Sequence, residues 1–190
     1  MPSNAYSNVL LVLLEDAAEL DDAHRELRTG QAGRQWRLGA INRAAVVMCL
    51  SAWEAYIEDV VVEAINSFQP AQPHPTRWQS LNADARGQIG RFNTPNVENV
   101  RRLVADTLGL QDVDQAWHWQ NTTVIQARNR LTEAITFRHH VAHGVNPRPT
   151  IHNQYTHRLP GFFRRLDRAT VDAVRDYLVN VLLVPNPWPA

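Results

Sequence analysis

Apolar positions recur along this chain at intervals of three and four, and almost nothing alternates at two. Val9, Leu13, Leu14, Ala17, Leu20 and Leu27 mark a first helix over about residues 8–29, with Gly30 and Gly33 to close it. The clearest stripe runs through Ile41, Ala45, Met48, Ala52, Trp53, Tyr56, Ile57, Val60, Val61 and Ala64, and predicts a long core helix from about Leu38 to Phe68. Pro70, Pro73 and Pro75 then open an irregular crossover over about residues 69–95, which contains one short helical stretch from Trp78 to Arg86. Asn96 caps the next helix, Val97, Val100, Leu103, Val104 and Leu108 face inward, and Gly109 ends it. Another long helix is expected from near Asn121, with Val124, Ile125, Ala127, Leu131, Ala134, Ile135 and Phe137, until Gly144 stops it. A last helix follows Asp167 through Val171, Val174, Leu178, Val181 and Leu182. The pattern predicts an all-α bundle with a long central helix pair, the second and fourth helices packing nearly antiparallel with Trp53 and Tyr56 largely buried. A single domain is expected over residues 1–184, followed by a frayed Pro-rich tail over 185–190.

Composition narrows the function classes. The chain has 190 residues, 44% of them apolar, enough for a hydrophobic core. Its longest apolar run, Ala44 to Leu50, is far too short to span a bilayer. No secretory signal is visible at the start, so a cytoplasmic location is expected. The single cysteine, Cys49, excludes an internal disulfide framework and reads as a buried thiol. The 19 basic and 19 acidic residues cancel, which argues against nucleic acid coating the whole surface but leaves room for a local basic cleft. Arg148, Arg158, Arg164, Arg165 and Arg168 give the C-terminal half such a lean. The six tryptophans read first as core and groove fillers, although Trp117 and Trp119 flank His118 and could stack on bases.

The chemistry concentrates in Arg138-His139-His140-Val141-Ala142-His143-Gly144, at the end of a helical pattern. Arg138 and His143 are about 7.5 Å apart along a helix axis and roughly 140° apart around it, so they do not stack on one another within one chain. Two such helix ends meeting across a two-fold axis would gather two arginines and two histidines, which makes a homodimer a sensible way to complete the site. Arginine can hold a phosphate and neutralise its growing charge, and imidazole can move the proton that RNA cleavage by a 2′-hydroxyl requires. The bland alternative is a capped, solvated helix end. His139 and His143 also stand at i, i+4, the spacing of a metal-binding pair. No H-E-x-x-H arrangement accompanies them, so neither a metal nor another cofactor is expected.

The same run resembles the R-x4-6-H motif of HEPN-domain proteins. Ser51-Ala52-Trp53-Glu54-Ala55-Tyr56-Ile57-Glu58-Asp59 resembles the second-helix signature of the RiboL-PSP-HEPN branch, and Phe92-Asn93-Thr94-Pro95-Asn96-Val97 with Leu108-Gly109-Leu110 resembles its middle region. The resemblance extends from about Leu38 to Leu183. It implies an α-helical, usually dimeric protein, often a metal-independent endoribonuclease of antiviral defence, toxin–antitoxin or RNA-processing systems. Arg138 and His143 match the motif pair, His139 takes the polar position, and Glu54 and Glu58 lie where some members place an acidic residue near the motif. For these two glutamates an ion pair with Arg138 or a solvated helix face is the ordinary alternative. Members that have lost activity bind RNA or protein instead, and an antitoxin or other protein partner is conceivable on the same ground. Variants that accept nucleotidyl groups carry a Tyr just after the His, whereas Gly144-Val145-Asn146 follows here.

Overall fold

The computed structural model describes residues 3–28, 36–67, 75–144 and 150–188. These form α1 (Leu11–Glu26), α2 (Trp36–Ser67), α3 (Pro75–Ile89), α4 (Val97–Leu108), α5 (Val124–Ala142) and α6 (Asn153–Asn180). A π-helical turn at Tyr6–Leu10 leads into α1, and a 3-10 turn at Val113–Ala116 links α4 to α5. No strand occurs among the described residues; an isolated bridge joins Trp119 and Thr122. The fold is all-α. Gly30, Gly33, Phe68, Pro70, Pro73 and Arg148, to which the sequence pattern assigns breaks, ends or charge, lie outside the described residues.

Helix ends follow local chemistry. The Asn96 side chain accepts the Asn99 N–H at 2.8 Å, and Gly109 takes the left-handed conformation that ends α4. Thr123, two residues after the expected start, caps α5 through a reciprocal capping box with Gln126. Ser3 accepts the Tyr6 N–H at 3.0 Å. Glu63 on α2 accepts the N–H groups of Ala5 at 2.6 Å and Asn4 at 3.3 Å, and the Trp188 indole N–H at 2.6 Å. One carboxylate therefore ties both ends of the described chain to α2.

α2 lies against α1, α4, α5 and α6, so its apolar residues meet neighbours on several sides. Trp53 and Tyr56 are fully buried, as their place on the stripe requires. Trp53 stacks on Tyr56, packs edge-on to Trp117 and tilts against Phe163, while its N–H donates to the Pro95 carbonyl at 3.2 Å. Trp117 is not available to stack on bases: it is buried and donates to Thr170 Oγ1 at 2.9 Å. Trp119 is half-buried against Phe162. Buried Asp114 pairs with Arg128 and with Arg101, holding the 3-10 turn against α4 and α5.

Three expectations need correction. The crossover is largely helical, because α3 spans Pro75–Ile89 and reaches beyond the Trp78–Arg86 stretch. The last helix starts at Asn153, well before Asp167, and runs through Pro160. Pro160 cannot donate to the Thr156 carbonyl, yet buried Leu159, Phe162, Phe163 and Leu166 keep the segment helical by packing. Leu27, Ile125, Val181 and Leu182 are exposed and do not belong to the core.

Candidate functional site

The site grows from the last turns of α5. Its helix ends at Ala142, His143 is the C-cap, and Gly144 follows with a φ of +61°. The His143 N–H donates to the His139 carbonyl at 2.9 Å. This is the helix stop that the glycine announces: a left-handed residue there costs glycine nothing sterically.

Arg138 turns toward α2. Its Nη1 donates to Glu54 Oε2 at 2.8 Å, and both side chains are half-buried. Glu58 lies one helical turn further along α2. Burial raises its affinity for a proton, and the charges of Glu54 and Asp59 add to that. His139 and His143 are exposed, and their rings lie 4.2 Å apart between centroids at a tilt of 45°. His140 is half-buried, 6.3 Å from His139. The fold thus groups the five predicted residues in two sets. Arg138 and Glu54 pair between α5 and α2, with Glu58 one turn further along α2, whereas His139 and His143 form an exposed imidazole pair on the final turn. Among the described residues, no group of three or more His, Cys, Asp or Glu is arranged to hold a metal ion.

A cleft of about 740 Å³ flanks α5, lined by Asn129, Arg130, Glu133, His152, Tyr155 and Arg158 among others. The Phe137 ring, next to Arg138 in the chain, packs edge-on to Tyr155 at 5.3 Å. Burial lowers the proton affinity of Arg130, and the neighbouring charges of Arg158 and Arg165 push the same way. Arg130 also lies over the Phe162 ring at 5.0 Å. The neutral chain therefore has a local concentration of arginine beside the motif helix. Sequence reading noted Arg158 and Arg165 only as part of a basic lean, and missed Arg130 and Tyr155. The signal was faint: Arg130 stands two helical turns before Arg138, but its partners come from α6, across a gap that no local pattern reports.

Asp21 draws α1 and α6 together. It accepts from Asn153 Nδ2 at 2.6 Å and lies 2.9 Å from His157 Nδ1. With the Asn42 side chain donating to the Ile151 carbonyl at 2.7 Å, this anchors the start of α6 to α1 and α2.

No curated protein and no solved structure matches the chain. The family model for RiboL-PSP-HEPN matches residues 12–159, which takes in α1 to α5, the motif and the first turns of α6. With the paired Arg138 and Glu54, the histidine-bearing end of α5 and a match over most of its length, the chain belongs to the RiboL-PSP-HEPN family.

Proposed function

We propose that the chain is a metal-independent endoribonuclease. Family membership points to nuclease or RNA-related work at the coarser level. The observation that carries the finer reading is the end of α5, where Arg138 is oriented by Glu54 and His139 and His143 are exposed on the following turn. Beside it, the arginine-lined cleft offers a route for a polyanion.

The chemistry needs few parts. A 2′-hydroxyl attacks the adjacent phosphorus, the bond to the 5′-oxygen breaks, and that oxygen leaves with a proton. The products are a 2′,3′-cyclic phosphate and a 5′-hydroxyl. Arg138 holds the phosphate and stabilises charge on its non-bridging oxygens. His143 transfers a proton, and His139 orients the phosphate. Glu54 holds the Arg138 fork in place, and Glu58 adds negative charge behind it. The two sets of residues face different sides of α5, so a second copy of the helix end across a two-fold axis would bring Arg138 of one chain to His143 of the other. The reading includes that homodimer, single-stranded or loop RNA as substrate, and a defence, toxin–antitoxin or RNA-processing role in the cytoplasm.

A second reading rests on the same ion pair. A guanidinium engaged by Glu54 in a chain of zero net charge also suits an inactive module that binds RNA or a protein partner, such as an antitoxin. Incubation of wild type, Arg138→Ala and His143→Ala with mixed RNA in EDTA decides between them. Wild type should cut and leave cyclic phosphate ends, and each variant should lose roughly 10²-fold or more. Equal cutting by all three, or cutting only with added divalent metal, would sink the mechanism; RNA binding without cutting would establish the module.

A further inference from the structure

His139 and His143 stand at i, i+4 across the last turn and the C-cap of α5. Their ring centroids lie 4.2 Å apart at a tilt of 45°, and both residues are exposed. Neither imidazole has a hydrogen bond or ion pair with another described residue. His140 is half-buried and its ring stands 6.3 Å from that of His139, so the close pair is His139 with His143.

Two imidazoles one helical turn apart can grip a single ion, because the backbone has already brought them to one face. Nitrogens about 2.0–2.1 Å from a tetrahedral zinc lie roughly 3.3 Å from each other, which sets the ring centroids about 5 Å apart. From 4.2 Å the pair has to open by about 1 Å, a side-chain rotation that their exposure leaves free. The local field also suits a cation. The last carbonyl groups of α5 lack helical partners and form the negative end of its dipole. Arg138, the arginine closest in sequence, does not oppose the ion: it turns toward α2 and is neutralised by Glu54 at 2.8 Å.

The donor set selects the ion. Imidazole nitrogen suits zinc, copper and nickel, whereas magnesium and calcium take oxygen ligands. A closed structural site has four protein ligands, and no described group of three or more His, Cys, Asp or Glu is arranged as one. The pair therefore fits an exchangeable ion whose other positions are filled by water.

We propose that His139 and His143 clamp one zinc-class divalent ion per chain, and that this ion blocks the RNA-cleaving site. The second half rests on the nuclease reading above. A metal on one nitrogen of the His143 ring leaves the other nitrogen as an N–H. The ring then has no lone pair to take the proton of the 2′-hydroxyl, and it cannot give up its remaining proton without becoming an anion. The ion is thus an inhibitor and not a cofactor, in keeping with cleavage that needs no metal.

Calorimetric titration with zinc chloride and with magnesium chloride in chelator-free buffer tests the clamp. Zinc should bind wild type saturably, its tightest site at one ion per chain, and magnesium should not. His139→Gln and His143→Gln should each weaken zinc by at least the roughly 10–100-fold that loss of an outer-shell partner costs. Both side chains are exposed, so neither change should lower the melting temperature without metal. His118→Gln, at an exposed histidine elsewhere, should leave zinc binding unchanged. Wild type should cleave RNA in EDTA, lose cleavage with a midpoint at the zinc dissociation constant, and recover it with excess EDTA. The clamp is overturned if zinc does not saturate, if magnesium binds as well, or if His143→Gln binds zinc like wild type. The inhibitory role is overturned if saturating zinc leaves cleavage unchanged or raises it. Zinc binding that His143→Gln abolishes, with no RNA cleavage under any condition, upholds the clamp and rejects the nuclease reading and the inhibition with it.

Discussion

Burial pushes the Asp167 carboxyl from its ordinary 3.8 up to about 7; Tyr56 and Arg168 oppose the rise, and Asp172 adds to it. The folded protein therefore keeps a proton that the unfolded chain has released between those values. Stability is greatest below the lower value and falls as pH rises toward 7, by a total on the order of a few kcal/mol. Asp167→Asn removes that titration. Its melting temperature should exceed that of wild type at about pH 8 and converge with it near pH 4; a wild-type advantage at the higher pH would contradict the assignment. Trp53 behaves as the opposite kind of residue, wholly apolar in its surroundings except for one N–H satisfied by Pro95. Trp53→Ala should cost about 3–5 kcal/mol in denaturant unfolding, from lost contacts and an unfilled cavity. Both side chains are single letters in helical patterns. The stripe predicts that Trp53 is inside, whereas the burial of Asp167 beside Tyr56 of α2 arises only from tertiary packing.

At the scale of the element, α5 is specified locally at both ends. The Thr123–Gln126 box begins it and Gly144 ends it. Thr123→Ala should cost about 1 kcal/mol of stability. The 19-residue helix puts that cap about 28 Å from the motif, so RNA cleavage at a temperature well below melting should not change; a loss of cleavage matching that of His143→Ala would mean that the helix ends are coupled. α6 shows where local signals mislead. The stripe after Asp167 marks only the second half of a 28-residue helix, whose first half contains Pro160 and Gly161. The outcome was decided by packing: the missing backbone hydrogen bond costs less than exposing Leu159, Phe162, Phe163 and Leu166 would. α3 was likewise underestimated, because the prolines before it weigh against helix in a local reading although Pro75 suits a first turn.

For the whole molecule, the open question is symmetry. Within one chain Arg138 faces α2 while His139 and His143 face outward, the angular split that the motif spacing implies on any straight helix. The two-fold pairing of α5 ends proposed above would resolve it. Sedimentation should show a dimer at micromolar concentration, and charge reversal by His143→Glu should weaken it if the histidine ends lie near the axis. A strict monomer, with and without RNA, would defeat the paired-site mechanism. No helix among the described residues is long and apolar enough to cross a membrane.

The sequence by itself determined that this is a helical protein, where most helices begin and end, that Trp53 and Tyr56 are inside, and which short run belongs to the RiboL-PSP-HEPN pattern. Each of these is set by periodicity or by a side chain acting on its own backbone, and both are readable within a few residues. Only the tertiary structure decided that Glu54 is the partner of Arg138, that Trp117 is core, that Arg130 and Tyr155 line a cleft with α6, and that Glu63 gathers both ends of the chain. These depend on contacts between residues far apart in sequence. Their energies come from burial and charge pairing across helices, and no local pattern encodes which helix will be the neighbour.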